Sequence, residues 1–158
     1  MFLIDVSGSM NQKTDGGSNR ITDAKVAFAA LVDLLNENDI FQVRTFSTTP
    51  TTEITEAAYG TAENKGVAKL FVKNLKAGGT TALGGAIGAS LSQLQTMAKI
   101  AKETPDMYPQ HAIPILVAMT DGIPTDGSGE SIYSNVKCTF TCVLGILMQR
   151  ACSVHPCL

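Results

Sequence analysis

The chain has 158 residues, of which 44% are hydrophobic and 16% are charged, and its formal net charge is −2. This length suits one domain with one sizeable core, and a small negative charge provides none of the basic surface that nucleic-acid binding needs. No apolar stretch reaches the ~20 residues that a membrane-spanning helix requires, so we expect neither a nucleic-acid partner nor a membrane span in this chain.

Strands alternate with helices along the chain, and this alternation predicts a mostly parallel sheet. In chain order, we predict strand 2–6, a polar loop 10–19, helix 22–35, strands 40–46 and 51–55, helices 63–75 and 83–102, strand 113–120, helix 131–137 and strand 140–146. Strand 51–55 is polar and suits the edge of the sheet. Apolar spacing of three and four residues predicts which side chains of the helices point inward. They are Ala24, Phe28, Leu31 and Leu35 on helix 22–35, Val67, Leu70, Phe71 and Leu75 on helix 63–75, and Ile87, Leu91, Leu94 and Ala98 on helix 83–102.

Three separate segments place oxygen-bearing side chains at one edge of the predicted sheet. Asp5, Ser7 and Ser9 follow the first strand, and Asp121 follows the strand at 113–120. Thr80 follows two glycines in the turn before the long third helix. Ligands of open α/β sheets collect at the carboxyl ends of the strands. Carboxylate and hydroxyl oxygens are hard donors, so the pattern predicts a site for Mg²⁺, Mn²⁺ or Ca²⁺ rather than for zinc or copper.

Each of these residues also has a purely structural interpretation. A serine or aspartate after a strand is often the N-cap of the next helix, and Thr80 can serve as a helix cap or as a turn hydroxyl. Thr81 is the neighbouring candidate for the same ligand position. We prefer Thr80 because it directly follows Gly-Gly.

The order of these motifs resembles the metal-ion-dependent adhesion site of von Willebrand factor type A domains. The resemblance covers approximately residues 2–146. It implies a doubly wound, Rossmann-like sheet with helices on both faces, and a protein-binding module rather than an enzyme. The implied metal ligands are Asp5, Ser7, Ser9, Thr80 and Asp121. The implied partner is a protein that completes the coordination with an Asp or Glu carboxylate.

The runs at 2–10 and 120–125 are most similar to the type A domain of inter-alpha-trypsin inhibitor heavy chains. We therefore expect an extracellular or secreted protein, although no secretory signal precedes the first strand and the chain looks like a fragment of a longer one. A type A domain continues after its fifth strand with a helix, a strand and a final helix. We see none of them at 147–158, so we expect a domain at 1–146 without its final strand and helix, followed by a divergent tail.

All four cysteines lie in the last 21 residues, at Cys138, Cys142, Cys152 and Cys157. Their spacing matches no familiar zinc motif. Unpaired or buried thiols are the simplest interpretation, and a disulfide is an alternative if the protein is secreted.

Two other functions are compatible with an aspartate after the first strand. A phosphotransferase of the haloacid dehalogenase type uses such an aspartate as its nucleophile, but it needs a second acid two residues later, where this chain has Ser7. A structural module with a vestigial ion site is the third possibility.

If the ion site is real, Asp5 and Asp121 repel each other without metal, so a bound cation should also stabilise the fold.

Overall fold

The structure is a computed structural model, and it describes residues 1–103 and 113–122. Within these residues the strands are β1 (Phe2–Asp5), β2 (Ile40–Phe41), β3 (Val43–Phe46), β4 (Glu53–Ile54), β5 (Ala58–Tyr59) and β6 (Val117–Met119). The helices are α1 (Arg20–Asp33), α2 (Ala62–Asn74) and α3 (Leu83–Glu103), and a short 3-10 helix covers Gly8–Asn11 at the start of the predicted polar loop.

The main sheet contains four strands in the order β4-β3-β1-β6. β1 pairs in parallel with both β3 and β6, whereas β4 pairs antiparallel with β3 at the edge. All four residues of β1 are buried, as expected for an apolar strand in the middle of a sheet that is covered on both faces. The prediction of a mostly parallel sheet is confirmed. Because β1 and β6 run in the same direction, the residues that follow them emerge at the same edge.

The core is divided between the two faces of this sheet. Phe2 and Ile4 belong to one apolar cluster with α1 and α2, whereas Leu3 belongs to a second cluster with α3. This division follows from the alternation of side chains along a strand. Phe28 of α1 is fully buried and meets the ring of Phe2 edge to face, with the ring centroids 5.0 Å apart. Helices therefore cover both faces of the sheet, as predicted.

The strands depart from the prediction in three places. The predicted strand 51–55 is shortened to the two residues of β4. The predicted strand 40–46 is interrupted at Gln42, and its first part, β2, pairs antiparallel with β5, an element that the sequence analysis missed. The predicted strand 113–120 is reduced to β6, and Ile113 is exposed. In the register that pairs Phe2 with Val117, residues 113 and 114 extend past Met1, so β1 offers them no residue to pair with.

The inward face predicted for α2 is wrong at two positions. Val67 and Leu70 are 65% and 60% exposed, while Ala68 and Val72 are buried instead. Basic side chains of α2 also reach toward the end of α1. One of them, Lys69, forms an ion pair with Asp33 at 2.5 Å. The predicted inward faces of α1 and α3 agree better, since Ala24 and Phe28 on α1 and Ile87 and Leu94 on α3 are buried.

Several predictions fall on residues outside the described part of the chain. They are the helix at 131–137, the strand at 140–146, the early end of the fold, the domain boundary at 146, and the environments of the four cysteines. Among the described helices, none has the length and apolar character that crossing a bilayer requires.

Candidate metal centre

Asp5 lies at the carboxyl end of the central strand, where its carboxylate is fully buried. The backbone N–H of Ser7 donates to its Oδ1 at 2.7 Å, and the hydroxyl of Thr120 donates to its Oδ2 at 2.6 Å. Thr120 directly follows β6, the parallel neighbour of β1. Donors from the segments after β1 and after β6 therefore fix the orientation of this carboxylate. It lies at the edge of the sheet where the site was predicted.

Ser7 and Ser9 lie on the tight connection that follows β1. Ser7 is the N-cap residue of the 3-10 helix, yet its side chain makes no capping hydrogen bond. The hydroxyls of Ser7 and Ser9 instead hydrogen-bond to each other at 3.0 Å. The interpretation of Ser7 as a helix cap therefore does not account for its hydroxyl, whose partner is the hydroxyl of Ser9.

Asp121 is the last member of a series of polar residues, beginning at Asp5, that hydrogen bonds connect. The hydroxyl of Ser9 donates to Asp121 Oδ1 at 2.9 Å, across 112 residues of chain. The second carboxylate oxygen of Asp121 is paired with the guanidinium of Arg20, the first residue of α1. Four of the five predicted side chains are thus brought together, through hydrogen bonds that link the connections after β1 and β6.

The loop that carries Thr80 packs directly against the serine loop. The N–H of Gly8 donates to the carbonyl of Gly79 at 2.8 Å, and a Cβ on Gly8 would lie 3.1 Å from that oxygen. Gly79 has φ +84°, in the left-handed region that favours glycine. Gly8 and Gly79 therefore allow the serine loop and the loop that carries Thr80 to approach each other closely.

Thr80 and Thr81 occupy different environments on that loop. The side chain of Thr80 is exposed, and its backbone N–H donates to Thr48 Oγ1 at 3.1 Å. Thr81 is buried, and its Cγ2 lies 2.8 Å from the point where a Cβ on Gly122 would stand. The same point is 3.4 Å from Asp5 Oδ2. Thr81 is therefore buried near Asp5 and Gly122, whereas the Thr80 side chain is exposed, and the assignment of Thr80 as a ligand stays a prediction.

Two residues that the sequence analysis did not assign also belong to this centre. Thr120 holds Asp5 Oδ2, and Arg20 pairs with Asp121. Thr120 precedes Asp121, so its position after an apolar run was a usable signal. Arg20 is 101 residues from Asp121, and no local pattern in the sequence connects them.

The electrostatics of the centre favour an added positive charge. Burial raises the pKa of Asp5 above its ordinary value, and the neighbouring charge of Asp121 raises it further, while the hydrogen bonds from Ser7 and Thr120 oppose the change. A buried carboxylate with a raised pKa is one whose charged form lacks compensation. A cation beside it would provide that compensation.

The side chains present fit a hard divalent cation. The donors that converge here are carboxylate and hydroxyl oxygens, which Mg²⁺, Mn²⁺ and Ca²⁺ prefer. Within residues 1–103 and 113–122, no group of three or more His, Cys, Asp and Glu side chains could hold a metal ion. The part of the chain that the structure describes therefore contains no zinc-type cluster, and the two carboxylates with their hydroxyls form its best candidate cation site.

Comparisons with known proteins agree with this architecture. A sequence profile of the von Willebrand factor type A domain matches residues 1–123. The chain is 29% identical over 139 residues to inter-alpha-trypsin inhibitor heavy chain H4 of Bos taurus, a match that covers 87% of this chain and 14% of that protein. It is 32% identical over 133 residues to Integrator complex subunit 6-like of Homo sapiens, covering 77% of this chain and 15% of that protein.

A solved structure shows the same fold. The von Willebrand factor type A protein from Catenulispora acidiphila matches with a TM-score of 0.64 and 21% identity, covering 89% of this chain and 31% of that one. At this identity the likeness supports the fold alone. The chain spans about one seventh of the curated relatives' length, since the matches cover 14% and 15% of them. All the residues of the candidate centre lie inside the range that the profile matches.

Proposed function

The chain belongs to the von Willebrand factor type A family, and from that premise we propose that it binds a protein partner through a divalent cation. Domains of this family typically mediate protein interactions. The proposed ligands of the cation are Asp5, Ser7, Ser9, Thr80 and Asp121. The observation that carries the proposal is the hydrogen bond from Ser9 to Asp121 at 2.9 Å, because it joins the two segments with the strongest ligand patterns.

The proposed ligand set explains why a partner would be needed. Three of the donors are neutral hydroxyls, and the two carboxylates supply all of the negative charge. When bound, a divalent cation would supply a positive charge that these few anionic groups do not fully neutralise. A carboxylate from an Asp or Glu of the partner would complete the coordination, in a contact that is charge-assisted and partly shielded from water. Mg²⁺ is the first candidate, with Mn²⁺ and Ca²⁺ as alternatives.

Binding is proposed here rather than catalysis. A phosphotransferase of the haloacid dehalogenase type would need an acid at the position of Ser7. Asp5, which would be its nucleophile, has each of its carboxylate oxygens engaged by a hydrogen-bond donor. Hydrolysis of a phosphate ester with Mg²⁺, lost in Asp5→Asn, would favour the enzyme instead.

Addition of Mn²⁺ is expected to stabilise the folded chain. A ligand that binds only the folded state adds about 2.7 kcal/mol at a free concentration 100-fold above its dissociation constant. Thermal unfolding should therefore shift upward with Mn²⁺ concentration and return after EDTA is added. Choline chloride at matched ionic strength controls for charge screening. A melting temperature that does not depend on Mn²⁺ would count against the site and favour a vestigial one.

A small carboxylate is expected to bind next to the cation. Bound Mn²⁺ enhances the relaxation of water protons, and acetate that takes a coordination position should reduce this enhancement. Acetamide has a similar shape without the charge and serves as the control. Equal effects of acetate and acetamide would show that no position is reserved for an anionic group.

We also propose that the domain occupies residues 1–146, that 147–158 form a tail, and that the protein works outside the cell. The location depends on the similarity to inter-alpha-trypsin inhibitor heavy chains. Expression of the natural gene with a C-terminal tag tests it, since the proposal predicts the tagged protein in the culture medium.

A further inference from the structure

The ion pair between Arg20 and Asp121 occupies part of the proposed cation site. The Arg20 side chain is 36% exposed and the Asp121 side chain only 13%, so the carboxylate is the more buried partner of the pair. Asp121 Oδ1 accepts from Ser9, and Oδ2 is taken by the guanidinium. Both oxygens of Asp121 are therefore engaged within the chain.

The position of Arg20 in its helix is unfavourable unless an anion accompanies it. Arg20 is the first residue of α1, where the helix dipole presents positive charge, and a cation there is normally destabilising. Its backbone N–H donates to the carbonyl of Gln12 at 3.0 Å, which fixes the start of the helix beside the loop that follows Ser9. The first turn of α1 already contains one acid, Asp23, and the carboxylate of Asp121 adds a negative charge directly at the guanidinium. The ion pair therefore balances the charge of Arg20 as well as that of Asp121.

A divalent cation and the guanidinium cannot both lie against Asp121 at no energetic cost. Two like charges a few ångströms apart repel by about 1 kcal/mol or more, even in a well-screened environment. We propose that Arg20 is an internal counter-ion that competes with the divalent cation for Asp121 and so lowers the affinity of the site. This inference rests on the proposed cation site and adds to it a residue that lowers its affinity.

The test compares Mn²⁺ binding by calorimetry in the whole 158-residue chain and in three variants. Arg20→Gln should bind Mn²⁺ about fivefold more tightly than the unchanged chain, which corresponds to about 1 kcal/mol for a partly exposed ion pair. Arg20→Lys keeps the positive charge and should stay within about twofold of the unchanged chain. Lys13→Gln removes an exposed cation from the same loop region and should change the affinity much less than Arg20→Gln.

Thermal unfolding separates competition from a merely structural role. In EDTA, Arg20→Gln should melt at a lower temperature, because Asp5 and Asp121 then repel each other without compensation. In saturating Mn²⁺ this difference should disappear, since the cation replaces the guanidinium. A structural role would lower the melting temperature equally in both conditions. A variant that folds only with Mn²⁺ supports the proposal, and one that folds in neither condition overturns it.

The two proposals fail in different ways. If the unchanged chain binds Mn²⁺ and Arg20→Gln binds it equally or more weakly, only the competition is wrong. If neither protein binds Mn²⁺, the cation site itself is wrong and the competition with it. If only Arg20→Gln binds, Arg20 blocks the site completely and the competition is supported in its strongest form.

Discussion

Asp121→Ala is expected to abolish cation-dependent binding of both Mn²⁺ and a partner. Asp121 supplies one of the two negative charges at the site and accepts the hydrogen bond from the hydroxyl of Ser9. Loss of supporting groups around a metal typically costs 10-fold to 100-fold in affinity, so loss of a charged ligand should cost about 100-fold or more. Calorimetry with Mn²⁺, and thermal unfolding with Mn²⁺ and with EDTA, measure the effect.

Asp23→Ala is the matched control for this variant. Asp23 lies in the first turn of α1 and accepts a hydrogen bond from Ser18 at 2.6 Å, so it is a nearby acid with a local role of its own. Its removal should leave Mn²⁺ affinity nearly unchanged. If Asp121→Ala retains the affinity of the unchanged chain, with and without chelator, the ligand set proposed here is wrong.

Asp5→Asn is expected to remove cation binding and, without metal, to make the fold more stable. Folding raises the pKa of Asp5 above its ordinary value of 3.8, chiefly by burial. Below pH 3.8 Asp5 is protonated, and its contribution to the free energy of unfolding is fully present. That contribution is lost as the pH rises through the raised pKa of the folded state and Asp5 becomes charged. At neutral pH the buried charge destabilises the metal-free protein. Asparagine has nearly the same shape and no charge, and it can still accept the N–H of Ser7.

The gain in stability should be visible in EDTA at neutral pH. We expect the melting temperature of Asp5→Asn to rise by roughly 2–4 °C, which corresponds to about 1 kcal/mol in a domain of this size. The difference from the unchanged chain should shrink as the pH falls, because Asp5 then becomes protonated and resembles asparagine. Asp33→Asn, at an exposed ion pair with Lys69, should show no such gain. An Asp5→Asn variant that Mn²⁺ still stabilises would contradict the assignment of Asp5.

Most of the fold follows from patterns that operate within short segments. The apolar run at residues 1–4 identifies β1 as a buried strand, and the spacing of Ala24 and Phe28 identifies the inner face of α1. The pairing of β2 with β5 does not follow from a local pattern. Each strand has only two residues, and they pair only when the chain between them folds back. The inner face of α2 likewise depends on how the helix packs against the rest of the fold, and helical periodicity alone misplaces Val67 and Leu70.

The candidate site shows the same division between local and distant information. Asp5 and Asp121 were predictable because each ends an apolar run, and parallel strands bring such ends together. Arg20 was not, because its partner lies 101 residues away. Sequence spacing also cannot decide whether Thr80 or Thr81 is the metal ligand, since both follow the same pair of glycines. Burial separates them, with Thr80 exposed and Thr81 buried.

A crystal grown with Mn²⁺ and measured at the manganese absorption edge would show whether a cation binds at this site. We expect one anomalous peak at the carboxyl edge of the sheet, bonded to the hydroxyl oxygens of Ser7 and Ser9 and next to the carboxylates of Asp5 and Asp121. A well-ordered crystal with no peak there, or with manganese bound only at other residues, would contradict it.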